Sequence, residues 1–170
     1  MSIMKGKKGL IMGVANERSI AWGIAKTLAD NGAELAFSYQ NDGFKKRLIP
    51  LMDSIKASKF YECDVSKDIN QTSSIENMFY KILETWDEID FVVHALAYSD
   101  KEELKGKYVN CSRENFLNSL DISAFSFTRT AKSAFPLMSS KGGSLLTLSY
   151  LGAERTTPNY NVMGVAKSAL

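Results

Sequence analysis

The chain has 170 residues, with 21 Lys and Arg against 19 Asp and Glu, one His, two Cys and a hydrophobic fraction of 45%. A formal net charge of +2 gives no electrostatic case for a nucleic-acid partner, which needs a basic stripe, and Cys63 and Cys111, with no CxxC pair, make neither a disulfide framework nor a metal site. No apolar run approaches the ~18 residues that span a bilayer, so the chain reads as one cytoplasmic domain over 1–170 with no membrane partner.

Residues 9–14 (GLIMGV) are continuously apolar and read as a strand covered on both faces. Three lysines precede them, but the run is too short for a secretion signal. Ile20, Ile24 and Leu28, spaced by four, predict a helix over 19–31 that stops at Asn31-Gly32. A second strand follows over 33–39, then a charged helix over 42–55 expected to break or bend at Pro50. Residues 59–65 form a third strand. Over 73–86 an amphipathic stripe carries Ile75, Met78, Phe79, Ile82, Leu83 and Trp86. A fourth strand spans 89–95 and holds His94, read as a packed core residue. A long loop covers 96–110, and a long helix over 113–138 ends in Ser139-Ser140-Lys141-Gly142-Gly143. A fifth strand (144–149) and a helix begun at Pro158 complete the chain. This alternation predicts an α/β fold: a Rossmann-like, doubly wound parallel sheet with helices on both faces and a ligand site beyond the carboxyl ends of the strands.

The candidate residues fall at those ends. Gly13 through Ser19, Ile20, Ala21 and Gly23 link the first strand to the first helix. Small residues there let backbone approach a pyrophosphate, which helix N-terminal amides favour. The interval is longer than GxGxxG, and a plain turn with Ser19 as helix cap accounts for the same residues. Gln40, after strand two, can bond ribose hydroxyls without adding charge, and no cation follows before Lys45; this favours NAD(H) over NADP(H), the alternative being an exposed loop residue. Asp64 can accept from an adenine amino group with Val65 against the ring; equally, Asp64 or Ser66 caps the next turn. Tyr160 and Lys167 are seven apart, about two helical turns and ~10 Å between Cα atoms. A cation beside a phenol stabilises phenolate and tunes proton donation. Tyr150 lies at the mouth of strand five. Either tyrosine also reads as an ordinary partly buried aromatic.

Taken together, Gly13…Ser19-Ile20-Ala21…Gly23, Tyr39-Gln40-Asn41-Asp42, Cys63-Asp64-Val65, Leu148-Ser149-Tyr150-Leu-Gly-Ala-Glu-Arg and Pro158-Asn-Tyr160-Asn-Val-Met-Gly-Val-Ala-Lys167 resemble the NADH-dependent enoyl-acyl carrier protein reductases of bacterial type II fatty acid synthesis. These are divergent short-chain dehydrogenase/reductases with Y-x6-K in place of Y-x3-K. The resemblance implies hydride transfer from NADH to a trans-2-enoyl thioester on acyl carrier protein. It gives Tyr160 the thioester carbonyl, Lys167 the nicotinamide ribose and Tyr150 a place in the substrate pocket. Gly13, Ser19 and Ile20 match the pyrophosphate turn, Gln40 the adenosine side, Asp64 and Val65 the adenine pocket, and Leu96 a cofactor contact. Tyr98, Ser99 and Met163 fall on the substrate side. Relatives assemble as homotetramers and continue beyond the helix bearing Lys167, so the chain reads as C-terminally incomplete. A non-catalytic NAD(H)-binding module and a carbonyl reductase of the same superfamily are the alternative readings.

Overall fold

The computed structural model describes residues 2–69, 72–138 and 142–170. The chain divides into two compact units: Met1–Ala95 with Thr130–Thr147, and Leu96–Arg129 with Leu148–Leu170.

The first unit is built on β1 (Lys8–Met12), β2 (Glu34–Tyr39) and β3 (Lys59–Glu62), alternating with α1 (Ile20–Asp30) and α2 (Asp42–Ser54). A two-residue antiparallel ribbon, β4 (Asp68–Ile69) and β5 (Thr72–Ser73), precedes α3 (Ser74–Leu83). β6 (Phe91–His94) and β7 (Ser144–Thr147) complete a five-stranded sheet ordered β3-β2-β1-β6-β7. All four pairings in it are parallel. The order reverses between β1 and β6, and folds of this kind bind ligands beyond the carboxyl ends at that point. There the Ala95 amide donates to the Met12 carbonyl at 3.1 Å. This is the expected Rossmann-like α/β sheet, with strand ends trimmed by one to three residues.

Alternation along the strands divides the core. Ile11, Leu35, Phe37, Phe91 and Val93 pack with Ala21, Trp22 and Ala25 of α1 and Leu48 and Met52 of α2. Leu10, Met12, Val92 and His94 take the other parity and are also fully buried. On that side the Thr130 hydroxyl lies 4.0 Å from Met12 Sδ. His94 is a core residue, its Nδ1 3.4 Å from the Thr147 hydroxyl. β7 is the sheet edge, and Leu145 and Leu146 remain exposed.

Three expectations change. Ile20 is 68% exposed, and the buried face of α1 is Ala21, Trp22 and Ala25; two alanines let the helix settle close to the sheet while Trp22 fills the space beside Phe37, ring centroids 6.4 Å apart. Leu83, on the expected stripe of α3, is exposed, whereas Trp86 beyond the helix end is buried. Pro50 does not break α2, which runs unbroken to Ser54. Asn41 starts that helix, its Oδ1 accepting from the amides of Gly43 (3.0 Å) and Phe44 (3.3 Å).

The second unit holds a loop from 96, a 3₁₀ turn (Tyr108–Asn110), α4 (Arg113–Leu120), a π turn (Asp121–Phe125) and the start of α5 (Ser126–Ala134). After β7 come a 3₁₀ turn at Leu151–Ala153 and α6 (Asn161–Ala169). The expected long helix is therefore one helical path with a π turn inside it. Its expected stop at Ser139-Ser140-Lys141 lies outside the described residues. α6 starts at Asn161, three residues later than Pro158.

Candidate active site

In the first unit the chain leaves β1 through Gly13, whose φ of 98° belongs to the left-handed region that glycine enters without steric cost. Ser19 occupies the N-cap position of α1 but makes no cap bond. Its hydroxyl turns back and accepts from the amides of Ala15 (3.0 Å) and Asn16 (3.1 Å), closing the loop. With no side-chain cap and no carboxylate in its first turn, α1 keeps its N-terminal amides available to an anion.

Gln40 and Asp64 meet across the ends of β2 and β3, Gln40 Nε2 donating to Asp64 Oδ2 at 3.3 Å. The other carboxylate oxygen accepts from the Ser66 amide (3.1 Å) and hydroxyl (2.7 Å). Lys67 adds an ion pair to Oδ2 at 3.2 Å. Burial pushes the Asp64 carboxyl upward, but the Ser66 bonds, with Lys67 and Gln40, outweigh it and hold it below the usual carboxylate range. Asp64 therefore caps the turn that follows β3, its oxygens shared among Ser66, Gln40 and Lys67. Val65 is buried beside it, and Gln40 is exposed.

The second unit gathers Tyr150, Tyr160, Met163 and Lys167. The rings of Tyr150 and Tyr160 are 4.8 Å apart and tilted by 57°, an attractive edge-on geometry. Tyr160 stands between two asparagines of positive φ, Asn159 (56°) and Asn161 (28°). Asn161 Nδ2 donates to the Glu103 carbonyl at 3.1 Å and approaches those of Lys105 and Gly106 at 3.4 Å, tying the loop to the start of α6. Gly152 lies directly under the tyrosine: a Cβ there falls 2.4 Å from Tyr160 Cδ1. Lys167 is 8% exposed, and its ammonium donates to the Leu148 carbonyl at 2.7 Å.

The hydrogen-bond partner of the ammonium is thus a backbone carbonyl, where the spacing suggests the phenol. Burial raises the Tyr160 phenol above the usual tyrosine range, with Tyr150 adding to the effect, while burial lowers the Lys167 ammonium. The phenol is accordingly a protonated donor at neutral pH. Met163 is buried on α6. Leu96 is half-buried, Tyr98 exposed, and the Ser99 hydroxyl donates to Asn115 Oδ1 at 3.2 Å. Gly152, Asn161 and Asn115 escape sequence reasoning, although the glycine after Tyr150 and the asparagines flanking Tyr160 are visible signals of unusual backbone.

Comparison with known proteins follows the same residues. A family model described as enoyl-(acyl carrier protein) reductase matches residues 13–170. A curated relative from Rhizobium meliloti (strain 1021), enoyl-[acyl-carrier-protein] reductase [NADH] 1, is 53% identical over 168 residues, covering 99% of this chain and 60% of its own. Among solved structures, an enoyl-(acyl-carrier-protein) reductase from Anaplasma phagocytophilum in complex with NAD superposes with a TM-score of 0.92 at 55% identity, over 98% of this chain and 62% of that one. FabI from Candidatus Liberibacter asiaticus gives 0.95 at 50% identity, over 100% and 64%. The chain spans about three fifths of the length of the curated relatives it matches. The family model covers nearly the whole chain and the curated relative is about half identical to it: the chain belongs to the enoyl-(acyl carrier protein) reductase family.

Proposed function

We propose that this protein reduces the trans-2 double bond of enoyl thioesters carried by acyl carrier protein, using NADH, in fatty acid elongation. The observation that carries the reading is the Tyr160 phenol, set against the Tyr150 ring at the N-cap of the helix that bears Lys167.

The first unit suits a dinucleotide. Gly13 brings backbone close, the Ser19 hydroxyl shapes the loop, and the uncapped start of α1 at Ile20 favours a pyrophosphate. Gln40, Asp64 and Val65 would hold the adenosine end, Leu96 would contact the cofactor, and Lys167 would hold the nicotinamide ribose. When bound, NADH supplies a hydride to the β-carbon of the substrate. Tyr160 then donates a hydrogen bond to the thioester carbonyl oxygen as enolate charge develops there, an effect worth about 3 kcal/mol for a well-placed donor. The phenol holds its proton at neutral pH, as a tyrosine ordinarily does, and a proton from solvent at the α-carbon then completes the saturated chain. Lys167 keeps the local potential positive, and Tyr98, Ser99, Tyr150 and Met163 line the acyl side. The names of the relatives support both acyl carrier protein and NADH. We place the protein in the cytosol as a homotetramer, a reading that the exposed Leu117 and Phe125 on the α4–α5 path support.

The test is kinetic, in the full-length protein. Tyr160→Phe lowers kcat about a hundredfold with NADH affinity unchanged, and Lys167→Ala mainly weakens NADH binding. Wild-type kinetics in both variants overturn the assignment.

A further inference from the structure

The π turn at Asp121–Phe125 has no part in the reading above, yet such turns inside helices are frequent at functional sites. This one carries Ser123, which is fully buried. The Ser123 hydroxyl accepts from the Tyr98 amide at 3.0 Å and donates to the Tyr98 carbonyl at 3.1 Å. It also lies 3.7 Å from Met163 Sδ on α6. One side chain therefore satisfies both backbone groups of a loop residue whose own ring is 54% exposed. Two residues on, Asn115 Oδ1 accepts from the Asp100 amide at 2.9 Å. The 98–100 segment is thus held at two points by one helical path, and at the Ser123 point the same hydroxyl also meets Met163 of α6.

We propose that Ser123 is a positioning residue for the acyl substrate: it pins the Tyr98 backbone beside Met163 and so fixes the pocket wall that both residues form. This rests on the reading of Tyr98 and Met163 as substrate-side residues. A hydroxyl is required because an aliphatic side chain leaves the Tyr98 amide and carbonyl unpaired, and the freed loop then samples positions that no longer present the ring to the acyl chain.

The test compares Ser123→Ala and Ser123→Cys with wild type in the full-length enzyme, using an enoyl thioester and NADH. Ser123→Ala, which unpairs both the Tyr98 amide and carbonyl, is expected to raise KM for the thioester about tenfold or more, with kcat and KM for NADH within twofold of wild type. Amide exchange at Tyr98 is expected to accelerate in parallel. Ser123→Cys, which keeps the shape and a weak donor, regains most of the lost KM, and it carries the test alone if the alanine variant does not fold. A purely structural role moves the melting temperature and leaves the KM split untouched; that result, or an equal rise in KM for NADH, overturns the proposal in an enzyme that is otherwise active. Wild-type protein that turns over no enoyl thioester overturns the reading beneath it as well.

Discussion

Gly152→Ala isolates the seat of Tyr160. A Cβ at residue 152 lies 2.4 Å from Tyr160 Cδ1 and 2.7 Å from Cε1, whereas carbon atoms pack at about 3.5–4.0 Å. Either the ring or the 3₁₀ turn at Leu151–Ala153 must retreat by about 1 Å to restore that spacing. The turn is held in place. The Gly152 carbonyl sits against α6, 2.9 Å from where a Cβ on Gly164 would stand, and the Ser168 hydroxyl donates to the Ala153 carbonyl. The ring therefore moves, and with it the phenol oxygen. Misplacing a reacting group by about 1 Å costs on the order of a hundredfold in rate, or about 2.7 kcal/mol of transition-state stabilisation. Steady-state kinetics of the full-length variant should show kcat down about a hundredfold, with KM for NADH unchanged because Lys167 keeps its bond to the Leu148 carbonyl and the other dinucleotide residues belong to other segments. A folded Gly152→Ala enzyme with kcat within threefold of wild type refutes the claim that close glycine packing sets the tyrosine.

Other outcomes follow from the same geometry. Asp64 has a folded pKa below its ordinary value, so its contribution to stability is complete above that value and is lost as pH falls through the lowered folded one; Asp64→Asn should flatten the fall in urea midpoint between neutral pH and pH ~3. Phe37→Ala empties a fully buried site between α1 and the sheet and should cost about 3–5 kcal/mol in chemical denaturation. Ser19→Ala frees the amides of Ala15 and Asn16 and should weaken NADH in a fluorescence titration about tenfold, with kcat at saturation retained. Asn161→Ala cuts the tie to the Glu103 carbonyl and should speed proteolysis in the 101–107 loop.

The sheet was legible because buried parallel strands are apolar runs, and 9–14, 33–39 and 89–95 announce themselves wherever Gly, Asn and charge bound them. The face of α1 was not, because Ala21 and Ala25 carry little apolar signal and buy their burial through small size, while Ile20, the better hydrophobe, opens the helix in solvent. Spacing put Tyr160 and Lys167 on one helix, whereas Tyr160 is the N-cap just outside α6, and spacing could not say that the ammonium would bond the Leu148 carbonyl. Residues around Asp64 supported adenine contact and capping equally; the structure shows the capping bonds from Ser66, two residues on. The π turn has no periodicity to betray it, since one displaced hydrogen bond leaves the 113–137 pattern helical. Ser123 was therefore invisible until the backbone was known.

The most direct measurement of the central claim is loss of the nicotinamide absorbance band when the full-length protein is mixed with NADH and crotonyl thioester. Oxidation that depends on the enoyl thioester and collapses in Tyr160→Phe is the predicted result. NADH binding without oxidation, or oxidation driven by a β-ketoacyl thioester and not by the enoyl one, contradicts it.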